Sequence, residues 1–340
     1  MRRTGLPLLL FLFLTLTAGA QNNKNFTVLF YNAENLFDTL DASGFSDEEF
    51  TPAGRKNWTS DRYEKKINDI GRVMNSLPDP GLPDIIGLAE VENQKVLEDL
   101  TRSAGLSAGN YAIVHEESRD ERGIDCALLY RKEVFRYKGH EAIAVSDPRD
   151  TSAVYRDILH VWGLAPDGKM IHFFVNHWKS RIGGAEQTEY QRMFSAVVLR
   201  RAVDQLYSQE RDPRVVIMGD FNDEPTNKSL TDVLHAANKR KNTGIGDLYN
   251  LMYDMNNLDL EGSYNYRGTW QNYDQIIVSY NLLRQQGGLS AGYDNGKILK
   301  AEWMLMDSDG IRVPSPVYRG SSYLGGVSDH LPVYVVFNIK

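Results

Sequence analysis

The chain has 340 residues, a formal net charge of −7 and a single cysteine. An acidic total excludes a protein that coats nucleic acid through charge alone. It leaves phosphate substrates open, because a metal and a local group of Lys and Arg can supply the positive field.

Residues 1–20 read as a cleavable signal peptide rather than as part of the fold. Arg2 and Arg3 form a positive start, residues 8–16 are apolar except for Thr15, and Ala18-Gly19-Ala20 is a small-residue cleavage site before Gln21. This predicts export, to a periplasm or further out, with residues 21–340 as one domain. No later stretch approaches the ~20 apolar residues of a membrane span, so we expect no stable membrane insertion, and a monomer. A lone cysteine allows no intrachain disulfide, and the fold must rest on its apolar core. Cys126 lies in an apolar run and reads as a buried thiol rather than a nucleophile.

Strand-like apolar runs recur at 27–31, 84–89, 111–114, 124–130, 157–164, 170–176, 215–219, 274–279, 299–306 and 332–337. Helical spacing appears between them. Tyr63, Ile67, Ile70, Met74 and Leu77 recur every three or four residues after the start signals Ser60 and Asp61. Val96, Leu97 and Leu100 mark a short helix, and residues 189–207 a longer one; 229–236 and 247–252 are shorter candidates. Strands mixed with helices without strict alternation predict an α/β (α+β) sandwich. The polar stretches 38–57, 147–151 and 285–295 read as loop insertions on one scaffold.

Six stretches place polar groups at or just past the end of a predicted strand. They are Tyr31-Asn32-Ala33-Glu34-Asn35, Leu88-Ala89-Glu90, Asn176-His177-Trp178-Lys179-Ser180-Arg181, Gly219-Asp220-Phe221-Asn222, Tyr273-Asp274-Gln275 and Ser328-Asp329-His330. Each alone fits a turn or a helix-start charge. Carboxylates, amides and imidazoles gathered at strand ends suit a divalent cation and an activated water.

In this order the six resemble the endonuclease/exonuclease/phosphatase superfamily, with its DNase I-like fold, over residues 26–338. Gly-Asp-Phe-Asn and Ser-Asp-His are the specific elements. The Asn-Ala-Glu-Asn-Leu-Phe-Asp opening and the Asn-His-Trp-Lys-Ser-Arg segment resemble a subgroup common among secreted bacterial members. The resemblance implies a four-layer αββα sandwich of two packed mixed β-sheets flanked by helices. It also implies hydrolysis of phosphoesters with Mg²⁺, or with Mn²⁺ or Ca²⁺. By the same resemblance Glu90, Asn32 and Asp329 would be metal ligands. His330 would act on the attacking water, and Asp274 would hold that imidazole. Asp220 and Asn222 would contact the scissile phosphate and the nucleophile. His177 would donate to a phosphate oxygen or the leaving group.

Other residues carry two readings. Lys179 and Arg181 are either a phosphate clamp or cations of a solvated loop. Asp125 either orients His177 or is an edge-strand charge. Arg192 reads as a solvated helix-surface cation. Glu34 and Glu92 have no assured metal role. Trp58, Tyr264, Tyr266, Trp270 and Tyr273 either stack on bases or pack loops. The expected substrate is DNA or RNA. Sphingomyelin or inositol phosphates are the alternative for the same chemistry, and an inactive binding homologue would need a broken Gly-Asp-x-Asn or Asp-His motif, both of which are intact here.

Overall fold

The computed structural model describes residues 25–339 apart from 79–80, 152, 237–238, 241–242, 258–261 and 285–286. The predicted signal peptide lies outside the described residues. In chain order the first half supplies β1 (Asn25–Leu36), α1 (Ser60–Met74), β2 (Ile85–Val91), α2 (Gln94–Arg102), β3 (Tyr111–His115), β4 (Asp125–Arg131), β5 (Arg136–Ile143), β6 (Ile158–Leu164) and β7 (Met170–His177). The second half supplies α3 (Ala185–Gln209), β8 (Val215–Asp220), β9 (Leu248–Asn250), β10 (Tyr264–Tyr266), β11 (Thr269–Gln271), β12 (Asp274–Ser279), β13 (Leu289–Ser290) and β14 (Lys297–Ile298). Two small hairpins, β15 (Leu305–Ser308) with β16 (Ile311–Pro314) and β17 (Tyr318–Arg319) with β18 (Ser322–Tyr323), precede the closing strand β19 (Val333–Ile339).

Two mixed sheets result. One runs β13-β19-β1-β2-β4-β3, with β14 also on β19; the other runs β5-β6-β7-β8-β12-β9. Each has one parallel pair near its middle, β1 with β2 and β7 with β8, and antiparallel neighbours otherwise.

Alternation along the strands makes the layers. In β1, Phe26, Val28 and Phe30 face the other sheet, where they join Phe173, Val175, Val216, Met218, Ile276 and Val278. The intervening Leu29, Tyr31 and Ala33 pack on the opposite face with Ile67, Ile70 and Met74 of α1 and Val96, Leu97 and Leu100 of α2. The second sheet repeats the scheme: Phe174, Ile217 and Ile277 pack with Ala196, Leu199 and Val203 of α3. The order helix, sheet, sheet, helix is the expected αββα sandwich. The sheets approach closely at Gly87, where a Cβ would stand 2.7 Å from Met218 Sδ. Among the described residues no helix is long and apolar enough to cross a membrane.

The departures from expectation lie at edges. The stretch 247–252 holds the edge strand β9 (Leu248–Asn250), paired with β12, rather than a helix. The run 299–306 is broken by a 3-10 turn at Glu302–Met304 before β15 begins. β5 was not expected at all, because its side chains are largely exposed and carry no apolar alternation.

Two buried polar links tie the layers together. Lys66 of α1 is only 2% exposed and donates to the Val327 carbonyl (2.5 Å), beneath the segment leading to Ser328. Its charge faces Glu34 and Asp329. On the far sheet a chain of hydrogen bonds runs from Glu141 to His160 (2.9 Å), from His160 to His172 (3.1 Å), and from His172 to Glu210 (3.2 Å). Burial drives the His160 imidazole down to about 4, although Glu141 pulls the other way.

Removing Lys66 leaves the buried Glu34 carboxyl without its cation and takes the same charge from the partly exposed Asp329. We expect Lys66→Met to destabilise the protein by about 3–5 kcal/mol, read by urea unfolding. A change below 1 kcal/mol would show that the ammonium is not holding the segment. His160 is neutral when folded and takes a proton more readily when unfolded. Stability should therefore fall as pH drops from about 6.5 towards about 4. The His160→Gln variant should show a shallower loss over that window in thermal melts.

Candidate active site

The polar end of the sandwich is built by strand ends from both sheets. Asn32 sits late in β1, Glu90 late in β2, His177 at the end of β7 and Asp220 at the end of β8. Asp274 opens β12, where it pairs in register with Asp220, while His177 is in register with Asp220 from the other side. Asp329 and His330 stand just before β19. The β1–β2 ladder shifts register between Asn32 and Leu36, and the β2–β4 ladder shifts between Ala89 and Val91. Such bulges re-aim side chains. Glu34 (φ 50°), Asn35 (φ 52°), Glu90 (φ 60°) and Asn222 (φ 49°) all adopt the left-handed region, which strains a residue with a Cβ by about 1–3 kcal/mol.

His330 Nδ1 lies 2.7 Å from Asp274 Oδ2. That leaves Nε2 turned into the cleft, 3.9 Å from Asp220 Oδ2 and 4.0 Å from Asp329 Oδ1. His177 Nε2 is 3.6 Å from both Glu90 Oε1 and Asp220 Oδ2. Asn222 Nδ2 donates to Asp220 Oδ2 (3.2 Å) and to the Trp178 carbonyl (3.2 Å). The Asn35 N–H donates to Glu90 Oε2 (2.9 Å). Asn32, Glu90, His177, Asp220, Asn222, Asp274, Asp329 and His330 thus meet in one crevice, although they span both sheets.

The charges there are strongly coupled. Burial alone would raise the Glu90 carboxyl, but Arg122, Arg156 and His330, with the Asn35 N–H, hold it below its ordinary value. Burial pushes Asp220 up to about 7; His330 offsets part of this, while Asp274 and Glu90 add to it. Burial likewise raises Asp329 against the pull of His330. Burial opposes charge on His330, yet Asp274, Asp220 and Asp329 together carry it well above the usual imidazole range. His177 moves the other way, through burial and the nearby Arg156 and Arg122.

These residues fit a divalent cation. Among the described residues Asp220, Asp274 and His330 bring possible ligand atoms within 4.8 Å of one another, Glu90 and Asp329 offer further hard oxygens, and the repulsion felt by Asp220 is the kind a bound cation relieves. Asn32 departs from its expected role as a ligand. Its Oδ1 accepts from the Glu34 N–H (2.9 Å), so its amide nitrogen faces Glu90 Oε1 (3.4 Å) and Asp220 Oδ2 (3.1 Å). It ties the carboxylates together from behind.

Other expectations are corrected. Arg181 does not present a free phosphate clamp: it donates to the Asn222 carbonyl (2.7 Å), Asp223 (2.7 Å) and Asn227 (2.7 Å), bracing the loop after β8. Lys179 has no ion-pair partner among the described residues; its carbonyl accepts from Arg192 (3.4 Å). Asp125 does not orient His177. It opens a strand beside β3 and pairs with His115 Nε2 (3.0 Å) and the Ser118 N–H (2.8 Å), which leaves His177 Nδ1 buried without a partner. Arg192 is buried rather than solvated and pairs with Asp223 at 2.7 Å. Glu34 accepts from the N–H groups of Val317 (2.8 Å) and Asp329 (3.1 Å), and Glu92 from that of Asp38 (2.5 Å). Trp58 is buried and donates to the Phe37 carbonyl (3.0 Å), so it packs a loop. Tyr264 stands 4.7 Å from the His330 ring, and Tyr266 is 52% exposed.

Arg122 and Arg156 were missed. Arg156 donates to the Trp178 carbonyl (3.1 Å) and pairs with Asp120 at 3.1 Å. Both precede strands in charged loops, and no spacing in the sequence marks them.

The model of the endonuclease/exonuclease/phosphatase family matches residues 27–339. Among solved structures, D. rerio TDP2 complexed with single strand DNA product has a TM-score of 0.55 at 13% identity, covering 92% of this chain and 99% of that chain. An endonuclease/exonuclease/phosphatase family protein from Bacteroides thetaiotaomicron has a TM-score of 0.55 at 18% identity, covering 93% and 95%. The human Nocturnin catalytic domain with bound sulfate has a TM-score of 0.55 at 16% identity, also covering 93% and 95%. A search of curated proteins finds no match. The structural likenesses show the fold; the family match runs through every strand end of the crevice. Members of that family hydrolyse phosphoester bonds and use divalent metals. On that match, this chain belongs to the endonuclease/exonuclease/phosphatase family.

Proposed function

We propose that the protein is an exported, Mg²⁺-dependent phosphodiesterase that hydrolyses DNA or RNA by in-line attack of water. The observation that carries this reading is the convergence of the His330–Asp274 pair with Glu90, Asp220 and Asp329 in one crevice. Glu90 and Asp329 would hold the cation, with Asp220 beside them. When bound, it would neutralise charge growing on the phosphoryl oxygens.

The chain's own groups do the rest. Asp274 fixes His330 Nδ1–H; a cation on the neighbouring carboxylates would relieve the field that raises the imidazole, freeing Nε2 to take the proton of the attacking water. Asp220 accepts from that water and orients it. His177 donates to a phosphate oxygen, while Asn222, whose two amide protons go to Asp220 and the Trp178 carbonyl, holds Asp220 in place. Burial keeps His177 neutral, so it offers a hydrogen bond without repelling the cation. The amide of Asn222 adds no negative charge beside the phosphate. The exposed Arg122 brings positive charge to Glu90 and His177.

Nucleic acid as substrate is supported by the Tyr264 ring beside His330, the exposed Tyr266 and the Lys300 ammonium 4.9 Å over Trp270. Rings next to cations suit base stacking beside a phosphate backbone. A fold neighbour, TDP2, was crystallised with a single strand DNA product. Export rests on the residue pattern of positions 1–20.

Purified protein is expected to cleave DNA or RNA, and bis(p-nitrophenyl) phosphate, in Mg²⁺, with EDTA abolishing the activity. His330→Ala should lower kcat by ~10²–10⁴-fold in protein that still melts cooperatively, at a lower temperature because Asp274 loses its buried partner. Wild-type turnover by His330→Ala at saturating Mg²⁺ would contradict the assignment.

A further inference from the structure

Beside the crevice lies a second concavity of about 390 Å³, within the range of small-molecule sites. It is lined by Glu34, Asn35, Lys56 and Tyr318 among others. Two of its wall residues are also braces of the active site. The Asn35 N–H donates to Glu90 Oε2 (2.9 Å), and Glu34 Oε2 accepts from the Asp329 N–H (3.1 Å). The two spaces are therefore separated by a single stretch of β1 backbone.

Of the cations lining it, Lys56 is the one that no carboxylate among the described residues neutralises. Lys56 Nζ lies 4.8 Å from the Tyr318 ring centre and donates to the Gly320 carbonyl (2.8 Å). An ammonium has three donors, so two remain. Arg62 lies 4.0 Å over the Tyr323 ring and donates to the Lys56 and Asn57 carbonyls (both 2.8 Å), locking the backbone that presents Lys56. Neither Lys56 nor Arg62 has a carboxylate partner among the described residues. Arg55, by contrast, is paired with Glu49. The acidic wall residue Glu34 turns its Oε2 to the N–H groups of Val317 and Asp329.

We propose that this concavity is a second phosphate subsite, with Lys56 as its specificity-determining residue. It would take a phosphate carried by the same substrate molecule whose scissile phosphate occupies the crevice. This inference rests on the phosphodiesterase reading of that crevice. The aromatic rings hold the ammonium in place before substrate arrives, so little side-chain freedom is lost on binding. A second phosphate can come from the next unit of an oligonucleotide or from a bisphosphorylated small molecule.

The test measures binding in the His330→Ala background, which slows turnover. The probes are thymidylyl-thymidine with and without an added terminal phosphate, and inositol bisphosphate against inositol monophosphate. In at least one pair the extra phosphate should tighten binding roughly ten-fold. Lys56→Met should erase that margin and Lys56→Arg should keep most of it. The pair that shows the margin identifies the source of the phosphate. Equal binding within both pairs, or a margin that survives Lys56→Met, would overturn the proposal. Failure of the phosphodiesterase reading shows separately, as thymidylyl-thymidine left intact in Mg²⁺ by the wild type and by Lys56→Met alike.

Discussion

The 2.7 Å hydrogen bond between His330 and Asp274 joins the two sheets at their polar end. His330 belongs to the segment entering β19 of one sheet, and Asp274 opens β12 of the other. The site therefore exists only when the sheets are packed in one relative position. The apolar faces that meet between them, from Phe26 and Phe30 to Val216 and Ile276, set that position. Gly87 lets the layers approach where any side chain would strike Met218. Core packing and site geometry are the same constraint seen at two places.

Burying this many ionisable groups is unfavourable unless each has an opposite charge or a donor. The protein meets the demand in layers. Asn32, Asn35 and Asn222 donate to the carboxylates directly. Behind them, Lys66 and Glu34 hold the segments around Val327 and Asp329. Arg181 and Arg192 converge on Asp223 and fix the loop that follows Asp220. What stays unbalanced is the crowding of Asp220 against Glu90 and Asp274, which is where a cation and a phosphate have reason to bind.

Much of this was legible in the sequence, for a physical reason. Strands buried on both faces must be continuously apolar, so β1, β2, β7, β8 and β12 stood out as runs, each with its polar residues at one end. The crevice residues could be named because they lie at those ends. Contacts across the sandwich could not. That Asp125 meets His115 rather than His177 depends on β3 lying beside β4. That Arg181 braces Asp223 depends on where the loop after β8 folds back. β5 escaped notice because an exposed edge needs no apolar pattern. Residues 247–252 were misread because a short run does not separate helix from edge strand; pairing with β12 decides it.

The central claim is that a single divalent cation sits in this crevice, on Glu90 and Asp329 beside the cluster of Asp220, Asp274 and His330. Anomalous diffraction from crystals grown with Mn²⁺ tests it most directly. The account predicts a peak within coordination distance of Glu90 and Asp329 that disappears in Glu90→Gln. A crevice without a peak, or a cation bound instead at the His115, Glu117 and Asp125 cluster, would contradict it.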